Sequence, residues 1–411
     1  MRRVTHAPRD GWQQTVEEQG LVYSTTRGDD GIERPWWYEE AHYELSMAEV
    51  DELEAATDRL HRMSIEAARF LATGAMGTIG LTPLGFGVAR ESLEELFDGR
   101  APSLYGRFDL RYDGTTPPKL LEYNADTPTG LLEASVVQWF WLEELHGDLD
   151  QWNSIHERLM ATWGQMSRRL EHAPVWFAHH EDEETGEDLM TVTYLRDTAE
   201  QAGLDTRATT LGDIGWDDRA GRFVGRAGDG WEPIRTCFKL YPWETMLAES
   251  FGAHIEARPN PASGTTWIEP PWKALLSNKA LLAALWHLYP DDPLLLPAYL
   301  DGPHEMDAWV AKPLHGREGD NIRIHAPGIE HTQPGDNGAE GWCHQQWAPL
   351  PEFDDNKAVM GCWVVDGHAA GLGIRESDGW VTDFGARFVP HVITAERPDA
   401  ETRARWIAED L

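Results

Sequence analysis

The chain has 411 residues, enough for a large core and more than one lobe, and carries 35 basic against 70 acidic side chains, a formal charge of -35. That excess disfavours attraction to nucleic-acid backbones and anionic membranes, and no apolar run is long enough to cross a bilayer. Amine or polyamine ligands suit such a surface, although acidic surfaces more often serve solubility. The opening MRRVTHAPRDGW has basic residues with no apolar core after them, and Cys237, Cys343 and Cys362 lack metal or redox spacing. The default reading is a cytoplasmic protein with buried or idle thiols. Its 20 Trp residues would suit a sugar cleft, but aromatic-rich cores explain most such residues.

Residues 1 to 45 read as an irregular segment anchored by Trp36-Trp37-Tyr38 and Tyr43. Ser46, with Glu49 three positions on, has the form of a capping box. Val50, Leu53, Leu60, Met63, Ala67 and Phe70 follow at helical spacing, which leaves His61 on the polar side.

Tyr105 to Glu133 reads YGRFDLRYDGTTPPKLLEYNADTPTGLLE. Two alternating runs flank Asp113-Gly114 and a loop with Pro117 and Pro118, so two antiparallel strands are expected. Alternation puts Arg107 and Asp109 on one side, and Leu120, Glu122 and Asn124 on one face of the second strand. If the polar faces coincide, Asp109 and Glu122 come together beside Asn124, which charge repulsion disfavours unless a cation or a shared proton relieves it. Oxygen donors of this kind suit magnesium shared with substrate phosphates, and Arg107 adds a planar fork that matches a phosphate. A solvated sheet face with an Arg-Asp pair accounts for the spacing equally well. The loop Ala125 to Gly130 then leads into the apolar run Leu131 to Leu142. A helix start there presents free N–H groups to an anion, with Thr127 and Thr129 capping it or touching substrate.

A helix is expected from Ser154 to His172 with Ile155, Leu159, Trp163 and Met166 inward, then a strand at Val175 to Ala178. The acidic loop His179 to Glu184 suits a metal, although consecutive charges more often mean a solvated loop. A helix from Met190 to Leu204 and a strand around Arg207 give the alternation of a compact α/β lobe. Cys237 to Glu244 ends a strand and begins a helix, and Trp267 to Tyr289 is an apolar helical stretch containing Lys279. Trp309 to Ile322 is a strand, a glycine-bearing turn and a returning strand. It is no Walker loop, lacking the GKS/T ending and a following helix. Gly316 and Gly319 instead allow a flap whose backbone donors approach phosphates, and Lys312 supplies a point charge. Gln345-Gln346-Trp347-Ala348 has the form of a linker strand whose backbone reads an adenine edge, or of an ordinary sheet strand.

The RFD, EYNADTPT and LLEASVVQWFWLEE runs resemble the synthetase domain of the glutathionylspermidine synthase family, ATP-grasp enzymes that form amide bonds. They are most similar to its stand-alone members described as acid-amine ligases, and the resemblance covers nearly the whole chain. It implies an α/β (α+β) ATP-grasp fold with a pre-ATP-grasp N-terminal region. Residues 1–45 would pack on the body, 46–270 would form the pre-ATP-grasp, substrate and metal part, and 271–411, interleaved with 105–145, the nucleotide part.

The same resemblance implies ATP and one or two magnesium ions as cofactors. Arg107 and Asp109 would meet phosphate and magnesium, with Asp109, Glu122 and Asn124 as metal ligands. Lys279, Lys312, Glu318-Gly319 and Gln345 to Ala348 would bind ATP, and Arg375 would stabilise the charge of the reaction. Glu183 and Glu184 would hold the acid and amine substrates. The chain departs from the family at Leu240, where a Thr contacts glutathione, which puts glutathione in doubt, and residues 1 to 45 are too few for an amidase domain. The expected activity is ATP-dependent joining of a carboxylate to an amine. Two other readings fit parts of the pattern: a noncatalytic nucleotide- or peptide-binding module, and a carbohydrate hydrolase using Asp109 and Glu122 as acid and base.

Overall fold

Ser46 caps the helix α1 (Met47–Ala72) with a complete capping box: its Oγ accepts from the Glu49 N–H at 3.3 Å, and the Glu49 carboxylate accepts from the Ser46 N–H at 2.8 Å. Val50, Leu53, Leu60, Met63 and Ala67 are buried along one face, as their spacing predicts, and Phe70 is half-buried, stacked on His287. His61 departs from the polar-side expectation, because its Nδ1 lies 3.4 Å from the Tyr123 hydroxyl and burial pushes its pKa down to about 3. The computed structural model describes residues 1–27, 33–97, 102–171, 173–181, 185–255, 264–383 and 385–396.

The expected hairpin forms from β1 (Tyr105–Arg111) and β2 (Lys119–Asn124). It does not stand alone. Farther along the chain, β3 (Trp309–Pro313), β4 (Trp342–Gln346), β5 (Asn356–Val365) and β6 (His368–Ser377) are the strands that frame the site. β5 pairs antiparallel with both β1 and β6, so the early hairpin and the late hairpin are one continuous sheet, with Arg387–Val389 at its far edge. β3 lies in a second antiparallel sheet between β4 and Arg323–Ala326. A third sheet, Thr266–Ile268, Thr236–Leu240, Val175–His179 and Thr206–Thr210, is parallel, and the helix Glu187–Gln201 packs on it. This is the α/β lobe that the alternation of residues 175 to 210 foretells.

The described part of residues 1 to 45 is not irregular. Arg2–Thr5 and Ala41–Leu45 pair with each other, and Ala41–Leu45 also pairs with His391–Glu396. Arg2-Arg3-Val4-Thr5 lacks an apolar alternation, and its anchor is remote in sequence: Arg3 donates to both oxygens of the buried Glu376 at 2.5 and 3.2 Å. The helix expected over Ser154 to His172 runs only from Ile155 to Met166. The apolar stretch Trp267 to Tyr289 splits into Lys273–Ser277 and Ala280–Leu288. Asn278 makes the break, its Oδ1 accepting from the Ala280 N–H at 2.9 Å and its Nδ2 donating to the Ile79 carbonyl at 2.8 Å. Lys279 is thereby turned toward β2.

Candidate active site between the two antiparallel sheets

Pairing of β1 with β2 sets Asp109 opposite Glu122 and Arg107 opposite Asn124, with an irregularity in register just after Asp109. The Asn124 amide nitrogen bridges the two acids, donating to Asp109 Oδ2 and to Glu122 Oε1 at 3.1 Å each. Arg107 grips Asp109 with two donors, Nε to Oδ1 at 2.7 Å and Nη2 to Oδ2 at 3.0 Å, and its Nη1 donates to the Thr129 carbonyl. Arg375, from β6, reaches across β5 to donate to Asp109 Oδ2 at 2.8 Å. The Arg107 side chain lies against a bare position of β5. At Gly361, opposite Asp109, a Cβ would sit 3.0 Å from Arg107 Cδ.

Two lysines approach from the other side. Lys279 Nζ lies 3.0 Å from Glu122 Oε2. Lys312, on β3, donates to the Leu121 carbonyl at 2.7 Å and to Gln345 Oε1 at 2.9 Å. Burial works to raise the Glu122 pKa, but Lys279 and Lys312 outweigh it and hold the carboxylate below its ordinary range. Burial lowers the Lys312 pKa to about 8, against the opposing pull of Glu122.

These groups open onto a cavity of about 490 Å³. Its lining combines charged and polar groups, among them Arg107, Asp109, Glu122, Asn124, Lys312 and Arg375, with an apolar cluster in which Val310, Ile322, Ile324 and Trp347 pack together and Trp380 meets Trp347. Ligand pockets of this kind pair an apolar lining with a few placed polar and charged groups.

Residues 314 to 322 form the turn over this cavity. Glu318 and Gly319 line it with left-handed φ values of 50° and 78°, and a Cβ at Gly319 would meet Val381 Cγ1 at 2.6 Å. Arg317 ties the turn to the opposite wall, its Nη2 donating to Glu244 Oε1 at 2.8 Å and its Nη1 to Thr127 Oγ1. Thr127 and Thr129 both line the cavity, on a loop pinned by the buried Asp126, which pairs with Lys239 and accepts from the Trp243 N–H at 2.9 Å.

Several expected positions differ in their surroundings. Gln345 is a strut rather than a cavity residue: its amide holds Lys312 and donates to the Leu120 carbonyl at 2.9 Å. Gln346 is exposed, and the N–H groups of Gln346 and Trp347 are committed to the carbonyls of Pro297 and Ala308, at 2.7 and 3.1 Å. An adenine edge would therefore find no free amide at these two residues, while Trp347 and Ala348 line the cavity. Lys279 stands behind Glu122. Glu183 and Glu184 lie outside the described residues. His180, from the acidic loop expected to suit a metal, lines the cavity, and the sequence pattern did not single out Arg317, Glu244, Asp188 or Tyr241, all near or lining it. Of these four, Arg317 had a signal, its place between Gly316 and Gly319.

The antiparallel sheets, the cavity between them and the charged end built from both halves of the chain define a protein of the ATP-grasp class. A glutathione synthetase-like effector from Globodera pallida, in its apo form, shares the fold with a TM-score of 0.54 at 9% identity, over 95% of this chain and 98% of that one. The chain belongs to the glutathionylspermidine synthase family, whose preATP-grasp model matches residues 3–394. It is 38% identical to a Haemophilus influenzae protein named "Putative acid--amine ligase", over 95% of this chain and 99% of that one. It is also 28% identical to trypanothione synthetase of Crithidia fasciculata, over 69% of this chain but only 46% of that larger protein. Relatives with these names are ligases, and the chain is an enzyme of their kind.

Proposed function

We propose that the protein is an ATP-dependent carboxylate-amine ligase working through an acyl phosphate. The observation that carries this reading is the meeting of Asp109 and Glu122, from early strands, with Lys312, Gly319 and Arg375, from late ones, on one cavity. The apolar cluster suits adenine, with the ring beside Trp347 and Ala348, and the turn at Glu318-Gly319 covers the phosphates with its backbone. Lys312 and Arg107 orient the phosphates, and Lys279 fixes Glu122.

The donor set fits magnesium. Asp109, Glu122 and Asn124 present oxygen-bearing side chains on one sheet face, and a half-turn of the Asn124 amide replaces its nitrogen by Oδ1 between the two acids. Magnesium there would neutralise phosphate charge, as phosphoryl transfer requires.

A carboxylate resists attack by an amine because its oxygen is a poor leaving group. Transfer of the γ-phosphoryl group to that oxygen releases ADP and leaves an acyl phosphate; the amine nitrogen then bonds to the carbonyl carbon, and phosphate departs with the C–O bonding electrons. Arg107 and Arg375, both anchored on Asp109, are placed to meet the charge of the transferring group. Neither Cys nor Ser is needed as a nucleophile, and all three cysteines are buried. The hydrolase reading leaves the turn at 314 to 322 without a task. Leu240, buried at the cavity wall, offers no hydroxyl to the acid substrate, which favours a carboxylate other than glutathione. Incubation with ATP, magnesium and pooled acids and amines, followed by ADP and new amide masses, tests the proposal; sugar release without ATP consumption would favour the hydrolase.

A further inference from the structure

The carboxylates on the cavity are not equivalent. Asp109 is held by Arg107, Arg375 and Asn124, Glu122 by Lys279 and Asn124, and nearby Glu244 by Arg317. Asp188 also has a partner. Glu318 lines the same cavity, yet among the described residues its carboxylate takes no hydrogen bond and no ion pair at bonding distance. It is fixed by the backbone instead, with a φ of 50° next to Gly319, whose close fit against Val381 holds the turn in place. A non-glycine residue in this conformation costs about 1 kcal/mol or more, and such residues gather at functional sites.

An amine that attacks an acyl phosphate becomes positively charged at nitrogen as the C–N bond forms, so an N–H proton must leave before or while phosphate departs. A base near the reacting carbon is required, and it must be free to accept. We propose that Glu318 is this base: its carboxylate takes the proton from the attacking amine as phosphate leaves from beside Arg107 and Arg375. The proposal rests on the ligase reading and adds a role for the Glu318 side chain distinct from the backbone of its turn. In the balanced step the ammonium first loses a proton to solvent and attacks as the neutral amine; its nitrogen then gives one further proton to Glu318 as the C–N bond forms and the C–O bond to phosphate breaks, and that proton later passes to solvent.

The surroundings suit that task. Burial raises the Glu318 pKa to about 7, with Glu187 and Asp188 acting in the same direction and Arg375 and Arg317 opposing them. A base poised there accepts protons at neutral pH and releases them again. Glu187 and Asp188 also give an incoming cationic amine a favourable potential on this side, whereas the phosphates face the arginines and Lys312.

The test compares two acceptors, putrescine and hydroxylamine, in the presence of ATP, magnesium and a pool of peptide and amino-acid carboxylates. Hydroxylamine is already neutral at the assay pH, and its adduct loses a proton to water readily. Glu318→Gln is expected to lower amide formation with putrescine at least about thirtyfold more than hydroxamate formation, whatever loss at the phosphates the two reactions share. In the unaltered enzyme, kcat/KM for putrescine, corrected for the amine's own ionisation, should fall as pH drops through about 7, and Glu318→Gln should lack that limb. Equal loss with both acceptors would overturn the proposal and assign Glu318 to the phosphate side, and so would undiminished putrescine amide. Hydroxamate formation shows that the variant is folded and still activates the acid. If the unaltered enzyme made neither ADP nor hydroxamate with any acid, the ligase reading would fall, and this proposal with it.

Discussion

Asp109 faces Glu122 across the β1–β2 pair, and the Asn124 amide nitrogen stands 3.1 Å from an oxygen of each. The same Asp109 anchors Arg107 and Arg375, so one carboxylate organises both the proposed metal end and the proposed phosphate end. Asp109→Asn keeps the shape and removes the charge, and it should lower metal-dependent ATP turnover on the order of a hundredfold or more. Asp109→Ala should also cost roughly 3 to 5 kcal/mol of stability, because it strands the buried Arg107. Steady-state ADP release and denaturant unfolding measure the two effects separately.

Lys312 would give the proposed nucleotide end a pH dependence. Burial brings its pKa from 10.5 down to about 8, so the charge proposed to attract phosphates is lost as pH rises through that value. KM for ATP should therefore increase above about pH 8, and Lys312→Arg, which cannot lose its proton there, should flatten the increase. Titration of KM against pH for both proteins checks this; an unchanged profile in the variant would separate Lys312 from ATP binding.

The Arg317 bonds to Glu244 and Thr127 join the turn at 314 to 322 to the opposite wall. Glu244→Gln weakens that tie without removing bulk. Amide exchange at residues 316 to 320 should quicken, and the ratio of ADP released to amide formed should rise, because a looser cover admits water to the acyl phosphate. Hydrogen exchange and product stoichiometry report the two outcomes.

Glu133 connects the site to stability. It is fully buried where the chain makes a π-turn over Glu133–Val137, and the Trp36 indole donates to its Oε1 at 2.6 Å. Burial, reinforced by Glu187, raises its pKa from 4.5 to about 7. Since the folded value lies above the unfolded one, the associated stability is complete below about pH 4.5 and is lost as pH rises through about 7, by up to about 3 kcal/mol. Glu133→Gln should melt higher than the unaltered protein near pH 8 and nearly with it near pH 5. Melting curves at the two pH values decide the point.

The hairpin at 105 to 124, the capping box at Ser46 and the glycine turn after Lys312 were legible because each is written in a few consecutive residues. Period-two alternation alone put Arg107 with Asp109 and Glu122 with Asn124. What joins these pieces was not legible. The alignment of β5 with β1, which brings Arg375 onto Asp109, depends on sheet pairing over more than 250 residues of chain. Gln345 reads as a strand residue whichever way it points, and only the position of Lys312 shows it to be a strut. The strand at Arg2–Thr5 has no apolar period of its own, since its anchor is the distant Glu376. Family likeness supplied expectations for Lys279 and Arg375 that composition and spacing could not.

The most direct test follows oxygen atoms. When the unaltered protein is given ATP, magnesium and a pool of acids whose carboxylates carry heavy oxygen, together with pooled amines, a carboxylate-amine ligase of this kind transfers one heavy oxygen from the acid to the released phosphate for every amide made. Amide formation with unlabelled phosphate would contradict the acyl-phosphate route, and ATP left unconsumed with every acid and amine would contradict the ligase itself.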